Sequence, residues 1–192
     1  MSFNKKISET AVRLGPVRFG YVNVFTPRKN EDGTDGKYQV QLLIPKTDTQ
    51  AAAMLDAAFE AAKKAGVAAK WGGKMPAAIK NKTTLLRDGD DEKPEDAAYA
   101  GMWFVNASSA TKPGVRVLDN GAIVEALDND DFYSGCWGCA SVNLYAYDVS
   151  GNKGVAVGLN NVIKTKDDAR LSGGASAESD FADLAEGGSY LD

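Results

Sequence analysis

Alternation of apolar and polar positions runs through most of the chain and is interrupted once by a helical stripe. GPVRFGYVNVF (15–25) alternates β-branched and aromatic residues with Arg, Gly and Asn, and TPRKNEDGTDG (26–36) after it is dense in turn formers. KYQVQLLIP (37–45) resumes the strand pattern, so the pair predicts an antiparallel hairpin with a long loop. TDTQAAAMLDAAFEAAKKAG (47–66) has a different period. Ala51, Met54, Leu55, Ala58, Phe59 and Ala62 share one face of a helix, a stripe suited to core packing. Thr47 and Gln50 have capping-box spacing, Lys63 and Lys64 suit the negative end of the helix dipole, and Gly66 offers a left-handed stop.

Downstream, KWGGKMPAAIKNK (70–82) reads as irregular or briefly helical, and the acidic run DGDDEKPED (88–96) as a loop. AYAGMWFVNAS (98–108) is a third strand and GVRVLD (114–119) a short one. WGCASVNLYAYD (137–148) is a long alternating strand that turns through SGNKG and returns as VAVGLNNVIK (155–164). From Ser172 onward Gly, Ser, Ala and acids replace the apolar residues, which predicts disorder. Residues 1–171 are therefore one domain and 172–192 a flexible acidic tail. One helix among five or more strands indicates an α+β, mainly β fold. The architecture that fits best is an OB-fold-like five-stranded antiparallel barrel with one inserted helix, an open sheet with a helix on one face being the competitor.

Composition narrows the chemistry. With no His among 192 residues, neither a Ser-His-Asp nor a Cys-His nucleophile system can form, and His-ligated zinc is excluded. Two Cys cannot supply a Cys₄ site. The pair stands in CWGC (136–139), but that motif runs into a strand, where residues three apart face opposite ways, so structural cysteines are expected in place of a redox pair. The acidic runs 88–96 and 128–131 lack the spacing of a calcium loop. No catalytic residue, metal or cofactor is expected. No apolar stretch approaches the length of a membrane span and the N-terminus lacks a secretory pattern, which makes the cytoplasm the expected location.

The net charge of −4 hides an asymmetry: residues 1–87 hold 15 basic and 7 acidic residues, and 88–170 hold 7 and 14. A local basic surface can attract an anionic polymer whatever the overall charge. Its candidates are Arg28 and Lys29 in the first hairpin loop, with Lys70, Lys74, Lys80 and Lys82 after the helix. Alternation supplies candidate stacking rings and hydrogen-bonding groups. On the first strand Val22 and Val24 share one face, with Phe19, Tyr21, Asn23 and Phe25 on the other. On the long strand Val142, Leu144 and Ala146 face the core, with Trp137, Cys139, Ser141, Asn143, Tyr145 and Tyr147 opposite. The opposite reading, in which the rings fill the core, remains open. Trp71 in KWGGK either stacks a base or tucks into the core.

These segments together, GPVRFGYVNVFTP, KYQVQLLIPK, GMWFVNASS and above all YSGCWGCASVNLYAYD followed by GNKGVAVGLNNVIKTKDDARLSGG, resemble the tailed-phage single-stranded DNA-binding proteins over most of residues 10–175. The resemblance implies an OB-fold and sequence-independent, non-enzymatic binding and protection of single-stranded DNA in phage replication and recombination, within the host cytoplasm. Single-stranded DNA is then the expected partner, with replication or recombination proteins through the tail and further copies of the chain as others. In the tail, Phe181, Asp183, Glu186 and Tyr190 are the candidates for docking or for competing with DNA. A structural or assembly protein of a virion is the alternative, and a thiol oxidoreductase a third.

Overall fold

A computed structural model describes residues 2–80 and 83–171. Its strands are β1 (Lys5–Lys6), β2 (Ala11–Asn23), β3 (Tyr38–Pro45), β4 (Arg87–Asp88), β5 (Met102–Ser109), β6 (Gly114–Asp119), β7 (Ala122–Glu125), β8 (Trp137–Val149) and β9 (Asn152–Lys166). Helix α1 (Thr49–Ala69) joins β3 to β4, and a single-turn α2 (Gly89–Glu92) follows β4. All nine strands form one sheet, in the order β4-β5-β3-β2-β8-β9-β6-β7, with β1 on the side of β2. A parallel bridge between Ser108 and Gly158 joins β5 to β9 and closes a ring of five strands, β5-β3-β2-β8-β9.

Both expected hairpin partners pair antiparallel, β2 with β3 and β8 with β9. The sheet departs from the expected all-antiparallel pattern in two places, since β9 runs parallel to β5, where the ring closes, and to β6 outside it. The acidic run expected as a loop holds α2, and β1, β4 and β7 were not foreseen. All are too short to show a period.

The interior is a continuous apolar cluster built on Leu14, Val17, Phe19, Val24, Leu42, Ile44, Val105, Ala140, Val142, Leu144, Val157 and Leu159, closed at one end by α1. Leu55, Ala58, Phe59 and Ala62 of the helical stripe are buried, as their spacing predicts. Both expected ends of the helix are displaced. Asp48, not Thr47, is the cap: its carboxylate accepts from the Ala51 amide and is fixed by two bonds from the Asn4 side chain at 2.9 and 3.0 Å. Gly66 is helical and buried, and the helix continues to Ala69. A Cβ at Gly66 would collide with Ala146 of β8 and the Trp71 ring, so this glycine lets the helix approach the sheet.

Strand β2 changes phase twice. Val12 and Leu14 face inward, then Val17 and Phe19, then Val22 and Val24. The first change falls between Leu14 and Val17 in the pairing with β8, the second between Gly20 and Asn23 in the pairing with β3. At the second, three steps along β2 oppose two along β3, and Tyr21 takes a φ of 46°. This bulge corrects the expected placement of Phe19 outside: its ring is fully buried, 4.7 Å from that of Phe132.

Both cysteines are buried with free thiols. Burial pushes Cys136 up to about 11, and Cys139, covered by Gly15, is also raised, the behaviour of structural thiols. No helix among the described residues is long and apolar enough to cross a membrane.

Candidate nucleic-acid interface

On the outer face of the ring, β3 and β5 present their polar alternate positions side by side. Gln39 lies opposite Ser108 and Gln41 opposite Asn106. The Gln41 amide donates to Asn106 Oδ1 at 2.8 Å, while Tyr99 donates its hydroxyl to Gln41 Oε1. This row is the floor of a trough made of three adjoining depressions of about 320, 380 and 580 Å³, all of which reach Ser108. At one end lie Lys80, Leu85, Tyr147 and Ala156. Tyr21, Arg87 and Lys93 flank the middle, and Arg28, Lys29 and Lys37 of the β2–β3 loop line the other end.

The floor stays low along β9 because its outward positions are small. Gly154, Ala156 and Gly158 lie opposite Tyr147, Tyr145 and Asn143 of β8. A Cβ at Gly154 would come within 2.7 Å of the Tyr147 hydroxyl, so a larger residue there would displace the ring.

Six cations line the trough: Arg28, Lys29, Lys37, Lys80, Arg87 and Lys93. The lining acids are Glu31 and Asp35. Lys29 is held by Asp35, and Arg87 by Glu92, whose carboxyl the guanidinium holds below its usual range. Arg87 also stacks 4.5 Å from the Phe104 centroid. Arg28, Lys37 and Lys80 form no ion pair among the described residues. The Lys93 ammonium lies 5.2 Å from the Tyr21 centroid and 4.9 Å from that of Tyr99, and donates to the Tyr21 hydroxyl at 3.2 Å. Tyr21 is thus 55% exposed yet held in orientation, a ring ready for stacking.

Of the residues expected from sequence, the structure brings Tyr21, Arg28, Lys29, Lys80 and Tyr147 to this trough. Tyr145, 40% exposed, and half-buried Asn143 share the outer face of β8 beside it. Trp71 is corrected. Its ring is buried, and its indole N–H donates to the Tyr147 carbonyl at 3.1 Å, which fixes the end of β8 and leaves no face for a base. Trp137 is also misplaced by the expectation. It is ten residues before Tyr147, roughly 33 Å along an extended strand, with its N–H bonded to Asp168 at 2.8 Å. Phe25 packs partly against the core and Asn23 donates to the Tyr21 carbonyl. Lys70 and Lys74 are exposed but do not line the trough. Lys82, Phe181, Asp183, Glu186 and Tyr190 lie outside the described residues.

Sequence reasoning missed Lys37, Gln39, Gln41, Arg87, Lys93, Asn106 and Ser108. The two Gln, with Asn106 and Ser108, were visible as polar alternates on strands. Arg87 counted toward the basic surplus of residues 1–87 with no strand pattern to place it, and Lys93 was hidden within an acidic run. There Lys46 bonds Asp88 at 2.6 Å and Asp90 at 2.7 Å, holding both carboxyls below their usual range and fastening the segment beside β5.

Known proteins share this fold. The solved single-stranded DNA-binding protein from bacteriophage Enc34 in complex with ssDNA superposes with a TM-score of 0.72 at 25% identity, covering 88% of this chain and 96% of that one. The single-stranded DNA-binding protein gp2.5 of bacteriophage T7 shares the fold, with a TM-score of 0.56 at 16% identity over 96% of this chain and 100% of its own. In sequence, putative protein p50 of Acyrthosiphon pisum secondary endosymbiont phage 1 is 32% identical over 181 residues, 91% of this chain and 94% of that protein. The family model described as "Enterobacter phage Enc34, ssDNA-binding protein" matches residues 10–191. The chain therefore belongs to the Enc34 phage family of single-stranded DNA-binding proteins.

Proposed function

We propose that this chain binds single-stranded DNA along the trough without regard to sequence, as a non-enzymatic protein of phage replication and recombination acting in the host cytoplasm. One observation carries the reading: a cation-lined trough with a polar floor lies on β3 and β5, and Tyr21 and Tyr147 stand beside it. On an OB-fold the corresponding face and its flanking loops are where oligonucleotides bind. Arg28, Lys37 and Lys80 meet phosphates directly, while Arg87 exchanges Glu92 for one. Bases stack on Tyr21 and Tyr147, and the Gln and Asn side chains of the floor bond sugars or base edges. Ring faces do not discriminate among bases, so affinity depends little on sequence. The virion-assembly alternative has no such observation behind it.

Titration with oligo-dT at several salt concentrations tests the reading. Each phosphate contact releases counterions, giving a log–log slope of about −0.7 per contact, hence roughly −2 to −4 for three to six contacts. Oligo-dT and oligo-dA should bind within about tenfold of each other. A slope near zero, or dependence on one sequence, overturns it.

A second part of the proposal concerns residues 172–192, which hold five acids and no cation. We infer a tethered competitor for the trough, with Phe181 and Tyr190 taking the place of bases and Asp183 and Glu186 that of phosphates. Displaced by DNA, this tail would dock basic surfaces of replication proteins. Truncation after Ser172 should tighten DNA binding at low salt and lose its effect as salt screens the charges. Equal affinities at low salt would defeat the competition.

A further inference from the structure

Ten large apolar side chains are exposed among the described residues, and four of them, Leu118, Ile123, Val124 and Leu127, lie within ten positions of one another on the β6–β7 hairpin and its exit. Ile123 and Leu127 are the most open, at 69% and 76% exposure. β7 ends the sheet order, so its outer edge has no neighbouring strand, and all four of its residues are exposed. Such edges are ordinarily guarded by Lys, Pro, a bulge, charge or shortness, and in AIVE only Glu125 and the four-residue length serve that purpose.

We propose that the β7 edge is a self-association site, at which two copies of this chain pair antiparallel about a two-fold axis through Val124. The main-chain geometry selects the register. Ala126 donates its N–H to the Val115 carbonyl at 3.1 Å, so residues 126, 124 and 122 turn their peptide groups toward β6. The groups of Ile123 and Glu125 therefore point outward. In antiparallel pairing, outward residues must oppose outward residues. With Val124 on the axis, Ile123 of each copy faces Glu125 of the other, and all four bonds come from extended residues of β7. A centre at Glu125 would set two carboxylates against each other. A centre at Ile123 would require Gly121, which sits in the turn with φ 84°.

The Val124 register brings Val124 against its own copy, Ile123 against the Glu125 stem, and Leu127 over the turn at Gly121. No like charges stand directly opposite within β7. A four-residue edge buries well under the roughly 1,000 Å² typical of stable complexes, so the association is weak and reversible. No residue of β6 or β7 lines the trough, and the pair leaves both troughs open. The occupant is a second copy because the edge is complementary to itself.

Sedimentation equilibrium of the full chain, from low to high micromolar, tests this with two charge variants. Val124→Lys and Val124→Glu each set like charges face to face on the axis and should weaken association by roughly tenfold or more. Mixing the two should restore a heterodimer. A wild type that stays monomeric throughout, a Val124→Lys protein that associates like the wild type, or a mixture that fails to recover would each overturn the proposal. An oligo-dT too short for two copies is titrated in parallel and should bind wild type and both variants equally. Failure of the DNA reading would appear in that titration alone, with association unaffected.

Discussion

Phe19→Ala is expected to destabilise the protein by about 3–5 kcal/mol while leaving the affinity of the folded fraction for oligo-dT unchanged. The ring is fully buried and packed at 4.7 Å against Phe132, at the point where β2 pairs with β3. Truncation leaves a cavity that a closed ring of strands cannot collapse around. Urea unfolding of wild type and variant gives the stability difference, and oligo-dT titration without denaturant, well below both melting temperatures, gives the affinity. Near-wild-type stability with weakened DNA binding would return Phe19 to the outer face that simple alternation assigns it.

Tyr21→Ala should do the reverse. Two residues further along the same strand, this ring is mostly exposed and touched by the Lys93 ammonium. Loss of a stacking platform should weaken oligo-dT binding by roughly 1–3 kcal/mol with little change in melting temperature. Tyr21→Phe keeps the ring and removes only the hydroxyl bonded to Lys93, so it should retain most of the affinity. If Tyr21→Ala binds as well as wild type, the middle of the trough does not stack bases. If Tyr21→Phe is as weak as Tyr21→Ala, the hydroxyl and not the ring is the contact.

The contrast between these two aromatics shows where sequence stops informing. Long strands, the helical stripe and the order of hairpins followed from periodicity, because a two- or 3.6-residue period repeated over many positions is hard to mistake. A bulge removes that advantage. It shifts the phase by one residue, and only Gly20 hints at it beforehand. Trp71 illustrates a second limit, since a large ring flanked by glycines and lysines suits a flexible binding arm and a core plug equally well. What decided it was Gly66, whose missing side chain makes the space the indole occupies. Rings and lysines are the louder signals in the sequence; the quieter one lies on β3 and β5, where four amide and hydroxyl side chains at alternate positions form the trough floor. Lys93 was obscured for an electrostatic reason: the surrounding acids made its segment read as anionic, whereas Lys46 neutralises two of those acids locally.

The single bridge between Ser108 and Gly158 also governs how the protein is born. The strand that completes the ring is the last one among the described residues, and β5 must wait for it through the whole of β6, β7 and β8. A nascent chain paused before β9 carries β8 with an unpaired edge and Tyr145 and Tyr147 without their glycine and alanine neighbours. The end of the trough beside Lys80 and Tyr147 is missing at that stage, because β9 supplies Val155, Ala156 and Val157 to it. Contacts of such long sequence separation form slowly and late. A chain that has not yet added β9 therefore offers DNA an incomplete trough, and its open β5 and β8 edges expose it to aggregation.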